Sequence, residues 1–389
     1  MIEIQKTNVG LREKLRLLTK TCPKWLNTWI QEFLTWMCGM PYPGQEPRFR
    51  SNWVWELLVG LAWMFGGGTA SWVLWNISSW FWPLLPISWL FTVGGARNLV
   101  LGIIHYCMHG SCSSHPWVNA LIPNAIAVVT MTQEYTSYRN DHIKDHHPPL
   151  KLATLEHDPD KKLIVKDLGF TLGQPKEFYW ARLRGILFGK PAIKFHADML
   201  SRRLKSNFLT APLGYRIAAL AWATLILSVV AITHSSVSFL VAWILPLTIG
   251  YHVSALLQFL TEHRWGYVAK EGEPWKVVVA RKTLDRFLGE VPPEKSIFNA
   301  TLPSMAWIMK MFGHLAIRIG VLSAVDMPVH GSYHHWKPAN RDWTNGLYVR
   351  QRDAEKGFPG FPEFPLEVWG FWNAMHVVFE SLSQTSPQN

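Results

Sequence analysis

Apolar positions gather into four long runs, at residues 53–76, 84–105, 213–232 and 237–260, separated by segments rich in charge. A helix needs about 20 apolar residues to cross a bilayer, so the pattern predicts four transmembrane helices. The main interruption is Arg97 in the second run. A charge at that depth either faces the bundle interior and a partner, such as an acyl head group or an internal acid, or snorkels to the interface. Tryptophans crowd the ends of the runs: Trp53 and Trp55, Trp72 and Trp75, Trp80 and Trp82. An indole ring settles at the membrane boundary, where one edge is wet and the rest apolar. A soluble core rich in tryptophan does not need runs of this length.

Charge orients the runs. The connections "ISSWFWP" and "THSSVS" hold no Lys or Arg, whereas the N-terminal arm, residues 139–206 and everything after Arg264 are rich in both. The excess of Lys and Arg on cytoplasmic loops then puts both termini inside and folds the spans into two hairpins with short external tips. The net charge of +11 falls mostly on one membrane face, where anionic headgroups attract it. A nucleic-acid partner is not expected, because no basic recognition helix or RNA-binding motif is present. Residues 11–38 alternate basic and bulky apolar groups at helical spacing, broken by Pro23, as do helices lying on a membrane surface or amphipathic helices packed on the protein. The expected organisation is an interfacial N-terminal segment (1–50), a membrane domain (51–350) and a C-terminal cytoplasmic tail (351–389). Cys22, Cys38, Cys107 and Cys112 form no Cys-x-x-Cys pair and read as reduced thiols. The first twenty residues are too charged for a cleavable leader.

The chemistry lies in the histidines. "HIKDHHPP" begins at His142 and "HGSYHHW" at His330, two copies of His-x-x-x-His-His. The second run ends in "HYCMHG", with His105 and His109, and the fourth delivers His263 in "LTEHRWG". All nine are expected on the cytoplasmic face, although they come from distant parts of the chain. On an α-helix, positions i and i+4 point the same way, while i+5 is turned by about 140°. Each triplet can therefore give two ligands to one ion and one to a neighbour. Imidazole suits zinc, copper, iron and nickel, and nine ligands suit two ions. Structural zinc takes four ligands and favours thiolate; Cys107 and Cys112 have no matching pair elsewhere. An all-nitrogen dinuclear centre with open positions suits redox chemistry with dioxygen, which points to iron. His234, His376, His196, His252 and His314 read as surface or packing residues, and His115 and His157 as non-ligands near the clusters. Ligating histidines usually give their second ring nitrogen to a carboxylate or carbonyl; Glu262, Asp326, Asp141 and Asp145 are the candidate partners, with Glu134 and Asp158 also close in sequence.

The series His105-x-x-x-His109, His142-x-x-x-His146-His147 and His330-x-x-x-His334-His335 resembles the three histidine boxes of the membrane-bound fatty acid desaturase superfamily, over residues of about 50 to 350. The "EHRW" around His263 is similar to the additional histidine that members contribute from the fourth span. The resemblance implies an all-α integral membrane enzyme with four spans, a cytoplasmic helical cap and two non-haem irons that use O2 as co-substrate to desaturate a fatty acyl chain. That chain would be carried on CoA, acyl carrier protein or a lipid. Tyr106 stands where the family often has an acid. No fused cytochrome b5 module is seen, so electrons are expected from a separate ferredoxin or cytochrome b5. A hydroxylase or carotenoid ketolase on the same scaffold is the first alternative; a non-enzymatic haem- or metal-binding membrane protein is the second.

Overall fold

The computed structural model describes residues 2–20, 22–293, 302–323, 327–363 and 365–386. The chain is mostly helical. Four helices are long and apolar enough to cross a membrane: Trp53–Ile77, Ser79–Met108, Leu213–Ile232 and Ser236–Glu262. Each expected run lies inside one of them. They differ in role: 78% of the apolar window of the second helix is buried inside the protein, against 6% for the third. The second is the core of the bundle, and the third presents nearly all its apolar surface outward.

The first and second helices approach closely because small residues meet at their contact. A Cβ built on Gly67 would sit 2.6 Å from Thr92 N, and Gly95 lies directly against the backbone of Met64. Between apolar helices in lipid, close backbone packing and polar contacts replace the hydrophobic drive; here Ser71 and Ser88 join hydroxyls at 2.7 Å. Asn52 starts the first helix by accepting a hydrogen bond from Trp55 N at 3.0 Å.

Beyond the ends of the second and fourth helices lies a separate apolar core containing Leu152, Ile164, Phe170, Trp265, Leu284 and Phe379. It holds a small departure from an all-helical fold. Strand β1 (Leu284–Phe287) pairs in parallel with β2 (Leu366–Trp369), Leu284 opposite Leu366 and Phe287 opposite Trp369. Parallel strands need a long crossover, and this one includes the whole third histidine triplet. The segment after residue 350, expected as a tail, supplies β2 and a buried helix, Phe371–Ser383. Phe371, Ala374, Met375, Val378, Phe379 and Leu382 recur at helical spacing and are all buried, so this segment belongs to the core. A further helix, Leu302–Gly320, leaves Met305, Met309 and Phe312 exposed while Gly320 packs on Leu90 of the second helix. At the N-terminal side, helix Lys24–Cys38 buries Leu34, Met37 and Cys38 and exposes Trp25, Trp29 and Phe33.

Candidate metal centre

The nine histidines meet where the second and fourth helices end. Ring nitrogens of His105, His109, His142, His147 and His334 all lie within 4.8 Å of one another, and those of His146, His263 and His335 form a second such group. Within the first, His105 Nε2 and His334 Nε2 are 2.7 Å apart, His142 Nε2 and His147 Nε2 2.8 Å, and His147 Nε2 and His334 Nε2 3.1 Å. In the second, the three ring centroids are each 5.1 Å from the other two. His330 belongs to neither group. Its ring lies 4.6 Å from that of His105, and its Nδ1 is 2.5 Å from Glu262 Oε1.

Local backbone explains how the rings converge. Each triplet starts in a π turn, Asp141–His146 or Val329–Tyr333, and a third π turn, Leu99–Ile104, immediately precedes His105. A π turn bonds i to i+5 and recurs at functional sites. His147 N donates to His142 O at 2.9 Å, which brings i and i+5 to one side. So in the second triplet His142 and His147 share a group and His146 turns to the other, the reverse of the α-helical expectation. In the third triplet the i+5 bond starts one residue earlier, from His334 N to Val329 O. There His334 joins the first group and His335 the second.

The two groups differ in charge. No carboxylate joins the first among the described residues, whereas His146 also sits with Asp158 and Asp160. His146 Nδ1 lies 3.0 Å from Asp158 Oδ2. Burial pushes the His146 imidazole down, but Asp158 and Asp160 outweigh it and leave its pKa raised to about 9. Burial, reinforced by neighbouring imidazoles, holds His142, His147, His263, His334 and His335 well below the ordinary histidine value. Burial, then His330 and Arg139, take His109 to about 3. These rings are neutral, the form in which imidazole binds a metal.

The expected acidic partners fare unequally. Glu262 meets His330. Asp141 instead accepts from Gln133 Nε2 at 2.6 Å, and Asp145 pairs with Lys151 at 2.7 Å. Glu134 caps helix Tyr135–Asn140 through Thr136 N and Ser137 N. Asp326 lies outside the described residues. Asp158, adjacent in sequence to His157 but facing His146, also accepts from Ala153 N at 2.7 Å. Of the histidines given no role, His314 meets Glu290 at 3.2 Å, His196 and His252 meet at 3.4 Å, and His234 lies with φ of 51° in the turn between helices Leu213–Ile232 and Ser236–Glu262.

One support was not foreseen. Asp285 on β1 accepts from Ser332 N at 3.1 Å and Ser332 Oγ at 2.5 Å, inside the third triplet. Its other oxygen takes Arg350 Nε at 2.8 Å, and Arg350 Nη2 reaches Glu367 on β2 at 2.6 Å. All of Asp285, Ser332 and Arg350 is buried. Gly331 lies against the backbone of Leu284, an approach that only glycine permits. Long-range pairing of this kind leaves no local signal in sequence. Tyr106 is likewise buried and stacks on Trp343 with centroids 4.3 Å apart and planes 2° from parallel, and Trp265 meets His263 edge-on at 4.9 Å.

A cavity of about 490 Å³ opens beside the cluster; His142, His146, His330 and Glu262 form one wall, and Arg97, Leu101 and Ile104 of the second helix line it as well. The family model for fatty acid desaturases matches residues 79–285, just over half of the chain and inclusive of the first two histidine motifs and His263. No curated protein matches the chain.

Proposed function

The chain belongs to the fatty acid desaturase family, and from that premise we propose that it desaturates an acyl chain with O2, using two non-haem irons held by His105, His109, His142, His146, His147, His263, His330, His334 and His335. The observation that carries this reading is the convergence of imidazoles from four separate segments into two groups of ring nitrogens.

The residues fit such a pair. His109 Nε2, both ring nitrogens of His263 and both of His335 are buried with no hydrogen-bond partner. A buried polar atom left unpaired costs about 1–3 kcal/mol, and a bound metal removes that cost. Spacing agrees as well. At a metal–imidazole length of about 2.1 Å, two nitrogens at right angles about one ion sit about 3 Å apart, close to the separations in the first group. Asp158 and Glu262 orient His146 and His330 and offset part of the cationic charge.

When bound, iron supplies the one-electron chemistry with O2 that removes hydrogen from an unactivated methylene. In the balance, O2 is reduced to two waters with two hydrogens and their electrons from the substrate, two electrons from a separate donor of the ferredoxin or cytochrome b5 type, and two protons from solvent. The protein's own part is position and dryness. Leu101 and Ile104 give an alkyl chain an apolar surface, and the buried histidine wall keeps bulk water from the reacting carbon. By the distribution of Lys and Arg, this site and both termini face the cytoplasm.

The test is expression of the chain in cells with analysis of their acyl lipids and of metal in the purified protein. Products lighter by two hydrogens, with close to two irons per chain, are expected. Products that gain an oxygen instead would reassign the chain as a hydroxylase or ketolase. Unchanged lipids from an iron-loaded, electron-supplied protein would refute the reading.

A further inference from the structure

Arg97 differs from other arginines held inside the fold. The half-buried Arg203 donates to Met131 O at 2.8 Å, Thr130 O at 2.7 Å and Leu247 O at 2.6 Å. Arg12 and Arg350 are similarly engaged. Arg97 is only 4% exposed, yet its Nε and Nη2 have no hydrogen-bond partner. Its one neighbour of note is the ring of Tyr251, 5.2 Å from its Cζ, and Arg203 lies over the same ring at 5.3 Å. A cation–π contact offsets part of the burial cost but leaves N–H donors unsatisfied. No ion pair of Arg97 occurs among the described residues. The burial rules out snorkelling, and no acid among the described residues pairs with it.

This guanidinium lines the same cavity as His142, His146, His330 and Glu262. An unpaired charge at such a depth is costly and marks a functional position. The other charged groups on the wall nearest the histidines are already engaged: Glu262 with His330, Asp160 3.7 Å from His146, Asp141 with Gln133. Resting on the reading above, we propose that Arg97 binds the carboxylate of a free fatty acid, so that the substrate is an unesterified acid and not a thioester or lipid ester. A planar guanidinium matches a carboxylate bidentately, and such charge-assisted bonds are among the stronger ones. Arg97 precedes His105 by eight residues, or about 12 Å of helix rise. The reacting carbon therefore lies within about that distance of the carboxylate, while the alkyl part runs along Leu101, Ile104 and Phe259, which share the cavity wall.

Binding tests this without turnover. Full-length protein in lipid nanodiscs is titrated with decanoate and with methyl decanoate, for the unaltered chain, Arg97→Lys and Arg97→Gln. Loss of one charge-assisted contact corresponds to roughly tenfold to a hundredfold in affinity. The unaltered chain is expected to prefer the acid over the ester by at least about tenfold, Arg97→Gln to abolish the preference, and Arg97→Lys to keep part of it, since an ammonium is a point charge without the fork. Equal binding of acid and ester by the unaltered chain overturns the proposal, and that comparison needs no variant to fold. A preference that survives in Arg97→Gln, with bound metal unchanged, overturns it too. Acid selectivity without any desaturated product would leave this inference standing and remove the proposed function. Desaturation of a thioester at equal rates with and without Arg97 would do the opposite.

Discussion

The triplets beginning at His142 and His330 have the same spacing, yet they deal their rings to the two groups differently. In one, the third histidine, His147, joins the first in the five-membered group and the second, His146, enters the other; in the other triplet the second, His334, enters the five-membered group and the third, His335, the other. The difference is a one-residue shift of the π hydrogen bond, from His142 O in the first case to Val329 O in the second. Spacing counts the ligands that a segment offers. Backbone register decides which ion each ligand faces.

The largest expected effects come from breaking that partition. Orienting partners of metal-bound histidines are worth 10–100-fold, so removing a ligand itself should cost more than about a hundredfold in turnover. Pairs of substitutions separate the groups. His147→Ala with His334→Ala, both in the five-membered group, should remove one iron per chain and leave the second. His334→Ala with His335→Ala, one from each group, should remove both. Metal analysis of the membrane-inserted variants reads the outcome, and equal loss in the two pairs would show that the groups do not hold separate ions.

Next in size is the brace under the third triplet, which the second triplet lacks. Arg350→Met leaves Asp285 buried without its cation, and breaking a buried pair in this way costs about 3–5 kcal/mol. Thermal unfolding in detergent should show a large drop in Tm. Metal held through His334 and His335 should weaken as Asp285, the anchor of Ser332, loses the cation that holds it. A Tm within the error of the unaltered chain would mean that the Asp285–Arg350 contact does not position the triplet.

How much of this was written in the sequence follows from the range of each interaction. The four apolar runs and the nine histidines are local signals of composition and spacing, and the structure brings those histidines together. Glu262 was legible because it adjoins His263 at the end of an apolar run. The π turns were not, since one inserted backbone bond changes no residue type. Neither were β1 and β2, four residues each, joined across 78 positions between Phe287 and Leu366 by pairing that only the folded chain reveals. Helix Phe371–Ser383 did carry an apolar face, but its position after the last histidine suggested a tail.

The smallest effects sharpen the comparison within the second triplet, where two acids flank the same histidines. Asp158→Asn should lower metal affinity about 10–100-fold, because Asp158 holds His146 Nδ1 in a buried contact. Glu262→Gln should act comparably through His330. Asp145 is a different case: it sits one residue from His146 in sequence, but its carboxylate is 40% exposed and pairs with Lys151 at 2.7 Å. Exposed pairs of this kind contribute little. Asp145→Asn should therefore leave iron content, Tm and turnover unchanged, while Asp158→Asn lowers iron occupancy in a chelator competition. If instead Asp145→Asn released iron as readily as Asp158→Asn, proximity in sequence, and not the direction each carboxylate takes from the backbone, would be what supports the site.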